Sequence, residues 1–531
     1  MTTRDCDAIL IGGGHNGLVC AAYLAKAGLK VTVLERRDVV GGAAVTEEFH
    51  PGFRNSVAAY TVSLLQPKVI ADLELARHGL RIVQRKLNNF LPLPDDRYLV
   101  TGGGRTTAEV AKFSRRDAER LPEYERRLDA IADELRALAL QPPPNLSEGS
   151  WLAALPELLR AGRLGKRVNA LGATLRTDLL DLFAISAAEY LERFFESDPI
   201  KAVLGFDGVV GNYASPYTPG SAYVLLHHVF GEVNGIKGAW GHAVGGMGAI
   251  TQAMAKSAAA AGVEIRVGAG VREVIVERGK AVGVVTDKGE TLRARCVVAN
   301  VNPKLLYERL LDPGAVPAPT RERMANWRCG SGTFRMNVAL SELPRFRALP
   351  EAGDHLTAGI ILAPSLDYMD RAYLDARAQG WSKEPIVELL IPSTLDDSLA
   401  PPGQHVASLF CQHVAPVLPD GKSWDDHRGE VADLMIDTVD RWAPGFRASV
   451  LGRQIKSPLD LERDFGLLGG DIFHGALSLN QLFSARPMLG QADYRGAIPG
   501  LYLCGAGTHP GGGVTGAPGH NAARRILADL R

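Results

Sequence analysis

The amino-acid sequence predicts an α/β protein in which a parallel-sheet domain is interleaved with a second, α+β domain. Three observations carry this expectation. Ala8-Ile-Leu-Ile11 is a short apolar run, followed by a glycine-rich turn, a helix-like stretch ending at Gly28 and a second apolar run, Lys30 to Leu34. Continuous apolar runs of this length read as buried parallel strands. A similar rhythm returns between Gly245 and Asn300, and the chain closes on one more strand and helix, Leu501 to Cys504 and Ala517 to Leu530.

The chain has 531 residues, beyond the size at which one hydrophobic core stops growing, so two domains are expected. The recurrence of the nucleotide-fold rhythm assigns residues 1–60, 235–303 and 465–531 to the first domain. Residues 61–234 and 304–464 fall to the second. Within the first insertion, Arg81 to Gln84 and Phe90 to Val100 resemble strands with a turn at Pro94-Asp95-Asp96. Glu123 to Leu140 has apolar residues at helical spacing and stops at Gln141-Pro-Pro-Pro144, and Trp151 to Glu196 is again mostly helical. In the resumed first domain, Ala249 to Ala261 reads as a helix, followed by strands at Val263 to Val267, Val271 to Glu277 and Ala281 to Thr286, then Cys296 to Asn300.

Lys+Arg and Asp+Glu are 59 each, so no basic surplus marks the chain for nucleic acid. The six cysteines, Cys6, Cys20, Cys296, Cys329, Cys411 and Cys504, form neither a CxxC pair nor a metal-ligand spacing. They are expected to be free thiols in a reducing compartment, and the expected location is the cytoplasm. The lack of a redox-active pair also argues against disulfide-reductase chemistry. No signal or transit peptide is read at the N-terminus, and the early apolar stretch is too interrupted by Gly12 to Asn16 to cross a membrane.

Gly12-x-Gly14-x-x-Gly17 sits between the first strand and the first helix. Gly12 permits a tight turn, Gly14 a close backbone approach to a pyrophosphate, and Gly17 close packing of helix on sheet. The helix N-terminus then offers unpaired N–H groups and a positive dipole end to the phosphates. Glu35 ends the second strand, where a carboxylate accepts ribose hydroxyls and repels a 2′-phosphate. Gly41-Gly42 follows six residues later, with Thr46 beyond; this second glycine pair favours FAD over NAD. A glycine-rich loop, Gly505 to Gly519, precedes the last helix and suits the pyrimidine edge of a flavin, with Pro518 in the helix's first turn.

Taken with Gly245-Gly246-Met247-Gly248-Ala249-Ile250, Val298 to Pro303 and Gly505-Ala-Gly-Thr-His-Pro510, the Gly12-to-Thr46 pattern resembles the carotenoid/retinoid oxidoreductases, the phytoene-desaturase-like flavoproteins. Gly470 to His474, Asn480 to Phe483 and Arg486-Pro487 look most like one branch of them, the pyridine nucleotide-disulfide oxidoreductase domain-containing protein 2 group. The resemblance spans essentially the whole chain. It implies a Rossmann-like FAD-binding domain of the glutathione-reductase/amine-oxidase type and a substrate domain built from the insertions. It implies that Gly12, Gly14, Asn16, Gly17, Glu35, Arg36, Gly41, Gly42 and Ala43 surround the ADP half of FAD. Val271 would bracket the adenine through its backbone, while Gly505, Val514 and Gly516 lie near the flavin. The implied activity is dehydrogenation or isomerisation of a largely apolar, carotenoid- or retinoid-like substrate, with oxygen or a quinone as electron acceptor. A flavin amine oxidase and a non-catalytic escort protein on the same fold stay open as alternatives.

The group that removes the proton is not legible. His509 is the first candidate for a flavin-proximal role, ahead of His520, His242, His474 and the pair His227-His228. No metal site is expected among them. Arg160, Arg163, Lys166, Arg167 and Arg176 alternate with Leu158, Leu159, Leu164, Leu171 and Leu175. A solvated helix face or a subunit contact is the favoured reading, with a membrane-surface helix as the other.

Overall fold

The computed structural model describes residues 4–145 and 151–531, with the side chains of 151–153 and 228 left out of the description. Five parallel strands form its first sheet: β1 (Ala8–Ile11), β2 (Val31–Leu34), β3 (Glu264–Arg266), β4 (Cys296–Ala299) and β5 (Leu501–Leu503), in the spatial order β3-β2-β1-β4-β5. The apolar runs are apolar throughout because both faces are covered. Ala8 and Leu10 of β1, Val31 and Val33 of β2, and Cys296 and Val298 of β4 point into a core formed with helices α1 (His15–Lys26), α2 (Gly248–Ala260) and α3 (Ala517–Leu530). Ile9, Ile11, Leu34, Val297 and Ala299 point the other way, against a three-stranded meander of Val271–Glu277, Lys280–Thr286 and Thr291–Arg293. Helix α1 begins three residues before its sequence-based start, and α3 has the expected bounds.

The packing groups two further stretches with this sheet, although the sequence rhythm places them in the insertions. Val62, Leu65, Val69, Leu73, Leu75 and Leu80 bury their side chains in the α1–α2–α3 core. Leu306, Tyr307, Leu311, Met324 and Trp327 bury theirs on the meander side. The strand Ile82–Gln84 also pairs with Gly241–Ala243.

A second, seven-stranded mixed sheet is built from the insertions. Its spatial order is Val450–Lys456, Phe334–Leu340, His405–Val414, Trp381–Leu390, Gly359–Leu362, Asn89–Pro92 and Tyr98–Thr101. One face is covered by the helix Trp424–Trp442 through Val431, Met435, Ile436 and Val439. The other meets a helical layer that includes Arg115–Ala139, Ala187–Glu192, Asp198–Asp207 and Ala222–Val229. The first of these starts eight residues before its sequence-based start because Ser114 caps it, accepting from Asp117 N at 3.1 Å. The helix Trp151–Ala170 leaves Leu155, Leu158 and Leu159 about half-exposed. Two of its cations are paired, Arg160 with Glu157 and Arg167 with Glu134. No helix among the described residues is long and apolar enough to cross a membrane.

Candidate active site

A single cavity of about 490 Å³ runs from the glycine fingerprint of the parallel sheet to the helical face of the seven-stranded sheet. At the first end, the chain leaves β1 into a turn at Gly12, whose φ of +95° suits glycine. A β-carbon on Gly17 would stand 2.4 Å from the Gly12 carbonyl oxygen and 2.8 Å from Asn300 Nδ2, so α1 and the sheet touch there. Gly41 N donates to Gly13 O at 2.9 Å, laying the Gly41-Gly42 loop across the fingerprint. The Glu35 carboxylate is fixed at the end of β2: Gly13 N donates to one oxygen at 2.7 Å and Arg37 N to the other at 2.9 Å. Gly12, Gly14, Asn16, Glu35, Arg36, Gly41, Gly42, Ala43 and Val271 all line the cavity. The Arg36 guanidinium is partly committed elsewhere, donating to the carbonyls of Arg463 and Asp464.

This end fits the ADP half of a dinucleotide. No side chain caps α1, no acid lies in its first turn, and the buried Asn16 Oδ1 has no hydrogen-bond partner. A helix start of this kind, opening on a cavity with a fixed carboxylate at the next strand end, is a phosphate and ribose cradle.

The C-terminal loop meets the cavity through Ala506, Gly513 and Val514. Gly505 and Gly516, expected beside the flavin, do not line it. Gly505 packs on the Asn300 and Val301 backbone, and Gly516 caps α3 at φ +72° with its α-carbon directed at Val69. Both glycines stand in close packing contacts. His15 Nε2 meets Gly513 O at 3.1 Å and His227 Nε2 meets Gly512 O at 3.3 Å, which fixes the loop from both sides. Burial pushes the His15 and His474 imidazoles down to about 4, so both are neutral at physiological pH.

His509, the first candidate for a flavin-proximal role, lies outside the lining of the main cavity. This residue faces a separate cavity of about 50 Å³ with Leu135, Phe183, Tyr223 and Phe483, and does not line the main one. Its Nε2 lies 3.2 Å from Leu138 O, and burial pushes its pKa down to about 4. His509 is therefore a core residue that ties the C-terminal loop to the end of the Arg115–Ala139 helix. His520 meets Tyr23 edge-on at 5.1 Å and bonds Asn521, and His242 pairs with Asp396 at 3.0 Å. Neither lines the cavity. Of the histidine candidates, His474 and His227 do, and the His228 side chain lies outside the described residues.

Sequence reasoning missed the other end. Sheet register sets Arg335, Phe410, Glu388 and Ile361 side by side in one row across four strands. Tyr60 stacks on Phe410 at 5.1 Å, lies under the Arg335 guanidinium at 4.5 Å, and donates to Glu388 Oε2 at 2.5 Å. Arg335 is fully buried and donates to Leu409 O at 2.7 Å and Ser408 Oγ at 2.8 Å. Arg85 donates to Thr61 Oγ1 at 2.5 Å and sits over Trp240. Burial pushes the Glu388 carboxyl up, against the Tyr60 hydrogen bond and the nearby Arg85 and Arg335 charges. Asp207, the last residue of its helix, also lines the cavity, and burial pushes its carboxyl up to about 7. A single charge inside an otherwise apolar run, as in Ile386-Val-Glu388-Leu-Leu-Ile391, was the available signal.

The sequence profile of the family described as flavin containing amine oxidoreductase matches residues 17–527. The chain is 43% identical to the rat pyridine nucleotide-disulfide oxidoreductase domain-containing protein 2 over 99% of its own length and 94% of that protein. It is 26% identical to the phytoene desaturase (lycopene-forming) of Pseudescherichia vulneris, covering 98% of each. Its fold superposes on the crystal structure of an oxidoreductase from Methanosarcina mazei with a TM-score of 0.60 at 16% identity, covering 98% of this chain and 100% of that one. The glycine fingerprint, the fixed Glu35 carboxylate and the two-sheet architecture thus belong to an FAD-dependent oxidoreductase of the flavin-containing amine oxidoreductase family.

Proposed function

We propose that the protein dehydrogenates, or isomerises, a largely apolar substrate of carotenoid or retinoid kind. The observation that carries this reading is the continuity of the cavity. Beyond the dinucleotide cradle its walls include Phe206, Val210, Trp240, Ile472 and Phe473, as expected for a pocket that buries apolar surface. The phytoene desaturase among the relatives supports the same substrate class.

Bound FAD supplies the hydride acceptor for such a reaction. The chain's own residues orient and enclose. Glu35 and the start of α1 hold the nucleotide end. The aromatic and aliphatic walls exclude water and align an apolar chain past Ala58, Ala59 and Val514. Asp207, its carboxyl pushed up to about 7, is placed to hold a proton near neutral pH, and burial also pushes the Glu388 carboxyl up. Oxygen or a quinone is proposed as the final electron acceptor.

The family description favours a second reading, amine oxidation. Against it, the Gly505-to-Gly516 loop carries Thr508, His509 and Pro510 where amine oxidases often place an aromatic cage residue. Arg85, in the cavity wall, and Arg335, directly behind it, would also repel a protonated amine. The two readings separate in one anaerobic experiment. Bleaching of the flavin band by polyenes or cyclic terpenes, and not by a panel of amines, is expected; bleaching by amines alone would replace the first reading with the second.

A further inference from the structure

The wall formed by Arg85, Tyr60, Glu388 and Asp207 is more polar than a hydrocarbon substrate needs. We propose that the substrate is an amphipathic acid, and that its carboxylate docks on Arg85 at this wall while its apolar chain fills the rest of the cavity. The inference rests on the apolar-substrate reading above and narrows it.

Charge and unused donors carry the argument. Two guanidiniums, Arg85 and Arg335, face one intervening carboxyl group, Glu388, whose Oε2 already accepts from Tyr60. Arg335 is bound to the sheet backbone and capped by Tyr60, so it contributes field rather than contact. Arg85 is different. Among the described residues its side chain gives one hydrogen bond, to Thr61, and the residue lines the cavity. A guanidinium offers five donors in a planar fork, and those left over match a carboxylate. With a hydrocarbon bound, the two buried guanidiniums would share Glu388 as a counter-charge, and incomplete compensation of buried charge is costly. The Phe206, Val210, Trp240 and Phe473 walls limit the anionic part of any ligand to one end.

Asp207 tunes the site. Its carboxyl lines the same cavity and makes no side-chain hydrogen bond among the described residues. Glu388 from the seven-stranded sheet and Tyr124 from the Arg115–Ala139 helix lie within electrostatic reach of it, and His227 and Arg85 line the same cavity. Its pKa stands at about 7 through burial. Below that pH it is neutral; above it, the ionised form adds a negative charge to the cavity that repels an incoming carboxylate. Affinity for an acid therefore falls as pH rises through about 7.

The test is equilibrium binding to the FAD-loaded protein, without turnover, by titration calorimetry with decanoate and methyl decanoate at pH 6 and pH 8. Decanoate is expected to bind about 10- to 100-fold more tightly than the ester at pH 6, the range of one charge-assisted contact. That advantage shrinks at pH 8. Arg85→Met should abolish the preference by weakening decanoate binding to the level of the ester, and Asp207→Asn should keep the preference at both pH values. Should Arg85→Met fail to fold, Asp207→Asn still reads the pH dependence. Equal or weaker binding of decanoate overturns the proposal and leaves the apolar-substrate reading standing if the ester binds. Failure of both probes to bind overturns the two together.

Discussion

Gly17 shows how a single residue type is dictated by backbone approach. A methyl group there would meet the Gly12 carbonyl at 2.4 Å, with no flexible neighbour to yield. Gly17→Ala is expected to destabilise the protein by about 3 kcal/mol through overpacking and to weaken FAD retention, read by urea unfolding and by flavin released on dilution. Asp207 carries a pH signature. Its folded pKa of about 7 lies above the ordinary 3.8, so between about pH 4 and 7 the native state keeps a proton that the unfolded chain gives up. Its contribution to stability therefore falls as pH rises across that window. Asp207→Asn should flatten this part of the stability–pH curve relative to the parent protein, as followed by thermal melts. These two residues also mark what sequence can show. Gly12, Gly14, Gly17 and Glu35 were legible because the turn, the close approach and the strand end impose residue types at fixed spacing. Glu388 and Arg335 were not, because 53 residues separate them in the chain and sheet register alone brings them to one row.

At the scale of elements, the connection between the two sheets depends on buried polar ties. Asp396 accepts from Gly245 N at 2.6 Å, from Ser398 Oγ at 2.6 Å and from Ser398 N at 3.1 Å, and meets His242 Nε2 at 3.0 Å. Burial alone would raise its carboxyl, but these bonds hold it well below the usual range. They fix the turn Gly245-Gly246-Met247 that leads into α2. The same turn is packed on the other side by Thr46, whose Oγ1 accepts from Gly248 N at 2.9 Å. Asp396→Ala should cost about 3 kcal/mol in urea unfolding, because His242 and Gly245 N lose a buried partner. A second tie, Arg486, donates to the carbonyls of Phe473, Gly475, Gln481 and Ala506 and so presses the 473–486 segment onto the C-terminal loop. The sequence pointed to Arg486 through family resemblance, but its role follows from four carbonyls that only the folded loop gathers.

The described residues are organised around a five-stranded and a seven-stranded sheet, with the main cavity between their functional ends, and the parallel sheet was the more legible of the two. Its strands are short, apolar on both faces and separated by glycine turns, a local pattern. The seven-stranded sheet draws its strands from residues 89 to 456, so its order and the face it presents are long-range properties. The cavity inherits this difference: of the residues read for its nucleotide end, Gly12, Gly14, Asn16, Glu35, Arg36, Gly41, Gly42, Ala43 and Val271 line it and Gly17 does not, whereas its charged wall was not foreseen. FAD is expected to occupy the first part of this cavity and to leave the second open to substrate. A crystal structure of the FAD-loaded protein tests it most directly. The adenosine ribose is expected within hydrogen-bond distance of Glu35 and the diphosphate at the start of α1. The flavin ring is expected between Ala58-Ala59 and Gly513-Val514, with open space reaching Asp207 and Arg85. A ring that fills the space up to Arg85 and Asp207, or a nucleotide bound away from Glu35, would contradict it.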